Sequence, residues 1–240
     1  MTLIQLGSRV WQLPLPVSHV HLVRLGGGGF AVVDTGVAGS APAILDAVAA
    51  LGGGPGDLRL IVLTHSHLDH AGSAAGLVSA TGARVLAGAA DAPYISGERP
   101  EPPPVHTEKE RALHERIMAG LGSTGAPPNP PVRVDTELRD GDSPDDWGET
   151  VQVLHVPGHT PGSIALYLPD TGVLFPGDTI ATVEGRAVLG PFNLDRAAAV
   201  ASFRRLAALE PRTVCVPHGE PLTVDAAKAL TAATPQDDWL

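Results

Sequence analysis

The stretch Leu60–Ser73, "LIVLTHSHLDHAGS", changes character at its middle. Its first four residues, within a strand predicted over 58–64, form an uninterrupted apolar run. Such a run is expected of a strand buried on both faces, which requires a layer of structure on each side. The next residues place His65, His67, Asp69 and His70 within six positions. His65 and His67 are two apart, so in a loop both rings can turn to one point while Ser66 turns away. Asp69 and His70 then fall at the start of a helix predicted over 71–82. A buried strand therefore delivers a polar cluster at its C-terminal end, the edge where α/β sheets collect their ligand sites.

Outward from this stretch, strand-like and helix-like segments alternate. "HVHLVRL" (19–25) and "FAVVDTG" (30–36) are short, β-branched and separated by Gly26–Gly29, as expected of a hairpin. Residues 41–53 carry helical apolar spacing and a glycine stop. Residues 83–88 read as the next strand. After residue 146 the alternation resumes, with strands over 150–156, 163–168, 172–178 and 213–217 and helices over 195–209 and 223–233. The sheet-then-helix grammar occurs twice, which predicts an α/β fold of two halves packed on each other within a single domain, 1–240. Between the halves, residues 91–146 form an excursion. Two proline clusters, "GERPEPPP" and "GAPPNPP", flank a helix predicted over 106–121. The excursion is expected to cover the site. It offers Tyr94, Ile95, Ile117, Met118 and Leu121 as apolar contacts, with Tyr94 the candidate substrate-binding residue.

The other apolar strands also end in histidine or carboxylate. His159 follows "VQVLHVPG", Asp178 ends "VLFPG" and His218 ends "VCVP". The candidate metal ligands are thus His65, His67, Asp69, His70, His159, Asp178 and His218. Imidazole with carboxylate suits Zn2+ first, then Fe2+ or Mn2+. Seven donors exceed one tetrahedral ion; they suit two divalent metal ions with a shared carboxylate. The remaining histidines read differently. His19 and His21 flank Val20 at the start of a strand, and only one of them is expected to face the core. His155 reads as a packing or surface residue, and His106 and His114 as solvated. Asp34 in "VVDTG" is placed to orient a ligand or tie a strand end. Cys215 lies in an apolar strand and reads as an inert buried thiol.

Taken in chain order, "VVDTG" (32–36), "HSHLDH" (65–70), "PGHTPGS" (157–163), "FPGDT" (175–179) and "VPHG" (216–219) resemble the signature of the metallo-β-lactamase superfamily. The resemblance covers nearly the whole chain and implies that family's αββα four-layer sandwich. It implies one metal on His65, His67 and His159, a second on Asp69, His70 and His218, and Asp178 bridging them. The implied activity is a dinuclear metallo-hydrolase using a metal-bridging hydroxide, with Asp69 as the catalytic carboxylate that orients it or passes a proton. The sequence has no GxSxG, so no serine nucleophile is needed.

Within the family, a bridging aspartate resembles the glyoxalase II and lactonase kind, which implies a small ester, lactone or thioester substrate. Glyoxalase II adds a C-terminal helical region with basic residues for glutathione; only residues 221–240 follow "VPHGE" here. Lactonases often place a tyrosine soon after the GD motif, and "GDTIATVEGR" has none. The alternatives are a mononuclear iron enzyme like the persulfide dioxygenases, or a β-lactam hydrolase, although β-lactamases of this fold lack the bridging aspartate.

Composition bounds the partners. The formal net charge is −10, and no Lys/Arg-rich run relieves it, which disfavours nucleic acid. One cysteine allows no intrachain disulfide and fits a reducing compartment. The N-terminus carries no signal-peptide pattern and no apolar run reaches membrane-spanning length. The expectation is a cytoplasmic chain with a small-molecule substrate and neither a nucleic-acid nor a membrane partner.

Overall fold

Each long apolar run becomes a strand with two buried faces because a layer lies on either side of it. The computed structural model describes residues 2–103, 105–120 and 129–236. A seven-stranded sheet runs, in spatial and chain order, through β1 (Ile4–Gln5), β2 (Val10–Leu13), β3 (Val20–Arg24), β4 (Phe30–Val33), β5 (Leu58–Leu63), β6 (Arg84–Gly88) and β7 (Thr136–Leu138). Its first four strands pair antiparallel, and β4 to β7 pair parallel. The second sheet contains β8 (Gln152–His155), β9 (Ile164–Leu168), β10 (Val173–Phe175) and β13 (Thr213–Val214), in the spatial order β13-β10-β9-β8. A separate hairpin joins β11 (Ile180–Val183) to β12 (Arg186–Leu189).

The helices are α1 (Ala41–Ala50), α2 (Leu68–Ala71), α3 (Ala74–Thr81), α4 (Ala92–Ile95), α5 (Glu108–Gly120), α6 (Arg196–Ala207) and α7 (Ala226–Ala232). Successive residues of each strand point to opposite faces. On one face of the first sheet Val32, Ile61, Leu63 and Val85 pack with Ile44, Val48 and Leu77 of α1 and α3. On its other face Val33, Leu60, Val62 and Leu86 meet Val153, Leu166 and Phe175 of the second sheet. Behind the second sheet, Leu154, Leu174 and Val214 pack on Phe203 and Leu206 of α6 and Leu230 of α7. These three cores make four layers, α-β-β-α. Each such side chain contributes about 1.5–3 kcal/mol on burial. At the start of α6, Asp195 Oδ1 accepts a hydrogen bond from the Ala198 N–H at 2.9 Å. That cap satisfies a donor the helix leaves open.

Three elements have weak sequence signals. Strands β1 and β2 precede the first expected strand and are short. The β11–β12 hairpin turns at Glu184 and Gly185, both with positive φ (51° and 75°), as a two-residue type I′ turn requires. Glutamate is an uncommon occupant of that position, so the turn does not announce itself. Strand β7 lies inside the 91–146 segment and extends the first sheet at its edge. Ile95 is not a rim contact: it is buried in the core beside α1 and α3. Among the described residues, no helix is long and apolar enough to cross a membrane.

Candidate metal centre

Sheet topology explains why distant residues meet. Strand β9 is antiparallel to both β8 and β10, and β13 is parallel to β10. Strands β8, β10 and β13 therefore share one direction, and their C-terminal ends open at one edge. His159, Asp178 and His218 lie just beyond those ends. The first sheet reaches the same edge through β5, whose next residue, Thr64, accepts the Ile164 N–H at 2.9 Å through its carbonyl. His65 and His67 follow in the loop, and Asp69 and His70 sit in α2. All seven candidate ligands converge.

They converge as two groups. Donor atoms of His65, His67 and His159 lie within 4.8 Å of one another, and so do those of Asp69, His70 and His218. Asp178 stands between the groups. Its Oδ2 faces the first, 3.4 Å from His159 Nε2 and 4.0 Å from His65 Nε2. Its Oδ1 faces the second, 3.2 Å from His70 Nε2 and 3.4 Å from His218 Nε2. Asp69 Oδ2 closes the second group, 3.5 Å from His70 Nε2 and 3.4 Å from His218 Nε2. In the first group His67 turns Nδ1 inward, 2.8 Å from His159 Nε2.

The donor set fits divalent ions on a test internal to the structure. His65 Nε2, His70 Nε2 and Asp178 Oδ1 are buried and satisfied by no hydrogen bond. Buried polar atoms without partners are costly, and these three aim into one cluster. A cation held between them removes that cost.

A second layer fixes which nitrogen faces inward. Asp34 sits at the end of β4 with φ 61°. Its Oδ1 accepts the Thr64 N–H at 2.8 Å, and its Oδ2 lies 2.9 Å from both Thr64 Oγ1 and His70 Nδ1. The Thr64 hydroxyl thus donates to Asp34 and accepts from His65 Nδ1 at 3.0 Å. His159 Nδ1 donates to the Pro191 carbonyl at 3.0 Å. His65, His70 and His159 therefore all present Nε2 to the centre.

Electrostatics separate the groups. Burial, then the other imidazoles, holds His65 well below the ordinary histidine range and His159 at about 3. Burial opposes charge on His70 and His218 too, but the carboxylates outweigh it, Asp178 most. His70 rises well above the ordinary value and His218 rises to about 10. Burial would raise Asp69 and Asp178. The facing imidazoles, His70 for Asp69 and His218 for Asp178, reverse this and hold both well below the carboxylate range. The centre thus keeps two anionic carboxylates beside neutral His65 and His159, while His70 and His218 hold protons that a bound cation would have to displace.

Other expected residues fall elsewhere. Tyr94 is half-buried in α4. Among the described residues no hydrogen bond or ring contact joins it to the cluster. Leu121 lies outside the described residues, as do the side chains of Ile117 and Met118. His21 is the buried member of the His19/His21 pair, packed against Phe175 with ring centroids 5.5 Å apart. His106 and His114 are not free in solvent. Their rings lie 4.6 Å apart and both contact Phe192. Asp34 does both things expected of it, tying a strand end and orienting a ring.

Sequence reasoning passed over Glu110, Pro191 and Phe192. Glu110 is a buried carboxylate of α5 whose Oε1 accepts the Phe192 N–H at 2.9 Å. Phe192 adopts φ 63° and follows the Pro191 that holds His159. The only sequence signal was a glutamate three residues after Thr107, which reads as a capping box and is one: Oε2 accepts the Thr107 N–H at 2.7 Å.

The chain is similar to known proteins over most of its length. The family model described as the metallo-beta-lactamase superfamily matches residues 13–218. The chain is 29% identical over 234 residues to a probable metallo-hydrolase, YflN, of Bacillus subtilis, covering 88% of this chain and 84% of that protein. It is 32% identical over 183 residues to a hydroxyacylglutathione hydrolase of Cereibacter sphaeroides, covering 75% of this chain. The match spans 54% of that hydrolase, about half its length. Among solved structures, a metallo-beta-lactamase family protein of Thermus thermophilus superposes with a TM-score of 0.67 at 25% identity, covering 95% of this chain and 78% of that one.

Proposed function

The chain belongs to the metallo-β-lactamase superfamily and is a metallo-hydrolase of that family; from this premise we propose that it holds two divalent ions, Zn2+ foremost, and hydrolyses a small ester, lactone or thioester. His65, His67 and His159 would hold one ion, Asp69, His70 and His218 the other, and Asp178, with one oxygen toward each group, would serve both. The observation that carries this reading is the split of Asp178, one oxygen toward each group. A carboxylate with both oxygens turned to histidine nitrogens suits a pair of ions better than a single one.

When bound, such ions supply Lewis acidity and lower the pKa of water, so no protein nucleophile is required. The chain's own residues do the rest. Asp69 stands at the mouth, its side chain 19% exposed, and serves as the carboxylate that takes a proton from the attacking water and returns it to the leaving group. Buried Asp34 and Thr64, with the Pro191 carbonyl, keep the rings from turning. Val17 and Leu68 are exposed at 41% and 37%. The Ser18 hydroxyl donates to the Asp69 carbonyl, so Val17 and Leu68 each precede one partner of that contact in the chain.

The excursion is pinned on both sides of the centre. Asn129 Nδ2 donates to the Ser66 carbonyl at 2.9 Å, between His65 and His67. Glu110 holds Phe192, next to the carbonyl that holds His159. This supports a cover over a site for small substrates. The relatives named hydroxyacylglutathione hydrolases favour a thioester among the candidates. The test is a panel of esters, lactones and thioesters with zinc- or manganese-loaded protein. Turnover of at least one class that disappears in Asp178→Asn supports the reading; no turnover across the panel sinks it.

A further inference from the structure

Asp91 occupies the N-cap position of α4, where an aspartate ordinarily accepts a helix N–H, yet it makes no side-chain cap bond. Its side chain turns inward instead and is fully buried. There Oδ2 accepts the Ser66 N–H at 3.0 Å and the Thr160 hydroxyl at 2.7 Å, and Oδ1 accepts the Gly162 N–H at 2.7 Å. Ser66 separates His65 from His67. Thr160 follows His159. The first loop leaves the seven-stranded sheet and the second joins β8 to β9 of the other sheet.

From this placement we infer that Asp91 is the positioning residue that sets the distance between the His65–His67 pair and His159. The inference rests on the metal-centre reading above. Three ligands of one ion come from two sheets, and within each sheet the backbone ladder fixes position. Between the sheets the Ile164 N–H to Thr64 carbonyl bond ties the strand ends, but it reaches into neither ligand-bearing loop, and the apolar packing around it is not directional. A buried carboxylate with three short hydrogen bonds is directional. It links both ligand-bearing loops through a single rigid group.

Two details show how closely the site is made. A Cβ at Gly162 would lie 2.2 Å from the Asp91 nitrogen and 2.6 Å from its Oδ1, so the second loop presses directly on Asp91 and only glycine fits. The Thr160 hydroxyl also meets Ser163 Oγ at 2.7 Å, so Ser163 donates to Thr160 while Thr160 donates to Asp91. Every group facing the carboxylate is then a donor. An asparagine of the same shape turns an NH2 toward the Ser66 or the Gly162 N–H, whichever way it is rotated. One link must break.

Asp91 touches none of the seven ligands, so its effect is expected in affinity at one group alone. Cobalt(II) titration followed by visible absorption, using the whole chain, reads this. His159→Ala identifies the step belonging to the first group and His218→Ala that of the second. In Asp91→Asn the first-group step should weaken by about 10–100-fold, the usual cost of losing support behind a metal ligand, while the second-group step is unchanged. Thr160→Val, which keeps the carboxylate and removes one bond, should weaken the same step by a smaller factor. It serves as the test if Asp91→Asn does not fold. Unchanged binding in both variants would overturn the inference, as would equal weakening of both steps with a lowered melting temperature of the metal-free protein, because that is general destabilisation. A wild-type chain that takes up no cobalt would instead overturn the metal-centre reading itself.

Discussion

His70 Nδ1 lies 2.9 Å from Asp34 Oδ2, and this one contact decides that Nε2 of a fully buried ring faces Asp69 and Asp178. Asp34 holds a left-handed backbone, φ 61°, which aspartate and asparagine tolerate better than most residues. Asp34→Asn therefore keeps the backbone and changes only the hydrogen bonding. Its NH2 must oppose either His70 Nδ1–H or the Thr64 donors. Affinity at the Asp69–His70–His218 group should fall by about 10–100-fold, measured by competition with a zinc chelator. Wild-type affinity would show that the ring needs no such support.

Gly190 lies against the backbone of Asp178. A Cβ there would sit 1.9 Å from the Asp178 carbonyl oxygen, in contact with main chain that cannot swing aside. Gly190→Ala should lower stability by about 1–3 kcal/mol in urea unfolding and displace the carboxylate that spans the two groups. Hydrolysis should drop more than stability accounts for. A variant as stable and active as the parent would mean that this turn yields easily.

His21 predicts an acid limb of stability. Burial holds its pKa at about 3, with a smaller contribution from His19, and its Nε2 has no partner. The unfolded ring titrates near the ordinary value of about 6.5. Between these values the unfolded chain binds a proton that the folded chain does not, so stability falls as pH drops from about 6.5 toward 3. The total is on the order of a few kcal/mol. His21→Leu, which retains the apolar contact with Phe175, should flatten this limb in urea titrations between about pH 7 and pH 4. An unchanged slope would place the acid sensitivity elsewhere.

Cys215 is buried among the side chains between the two sheets, and burial pushes its thiol up from the ordinary value. The thiolate is the reactive form. The folded protein should be inert to a disulfide-exchange dye, and one thiol per chain should react once denaturant unfolds it. Rapid labelling of the native protein would mean that this core opens readily.

The fold was legible where one residue run carried its own layer assignment. Ile61 and Val62 are adjacent and both buried, which requires cover on two faces, and α1, α3 and the second sheet provide it. The β11–β12 hairpin was not legible, because its turn is Glu184–Gly185 and carries little turn signal. The seven clustered donors were legible because each ends an apolar strand or follows one within a short loop. Of their supports only Asp34 was, in "VVDTG"; the others act across long chain separations. Asp91 reaches Thr160, Pro191 reaches His159 and Glu110 reaches Phe192 only after folding. Tyr94, expected to touch substrate, is half-buried in α4, and no hydrogen bond or ring contact among the described residues joins it to the cluster.

The central claim is a pair of ions spanned by Asp178. Metal content per chain, measured by inductively coupled plasma mass spectrometry on protein loaded with zinc and freed of excess metal, tests it most directly. Wild type should hold two ions, and Asp178→Ala no more than one, with hydrolysis reduced by at least about 100-fold. One ion per wild-type chain, or a single iron accompanied by oxygen uptake, would contradict the account.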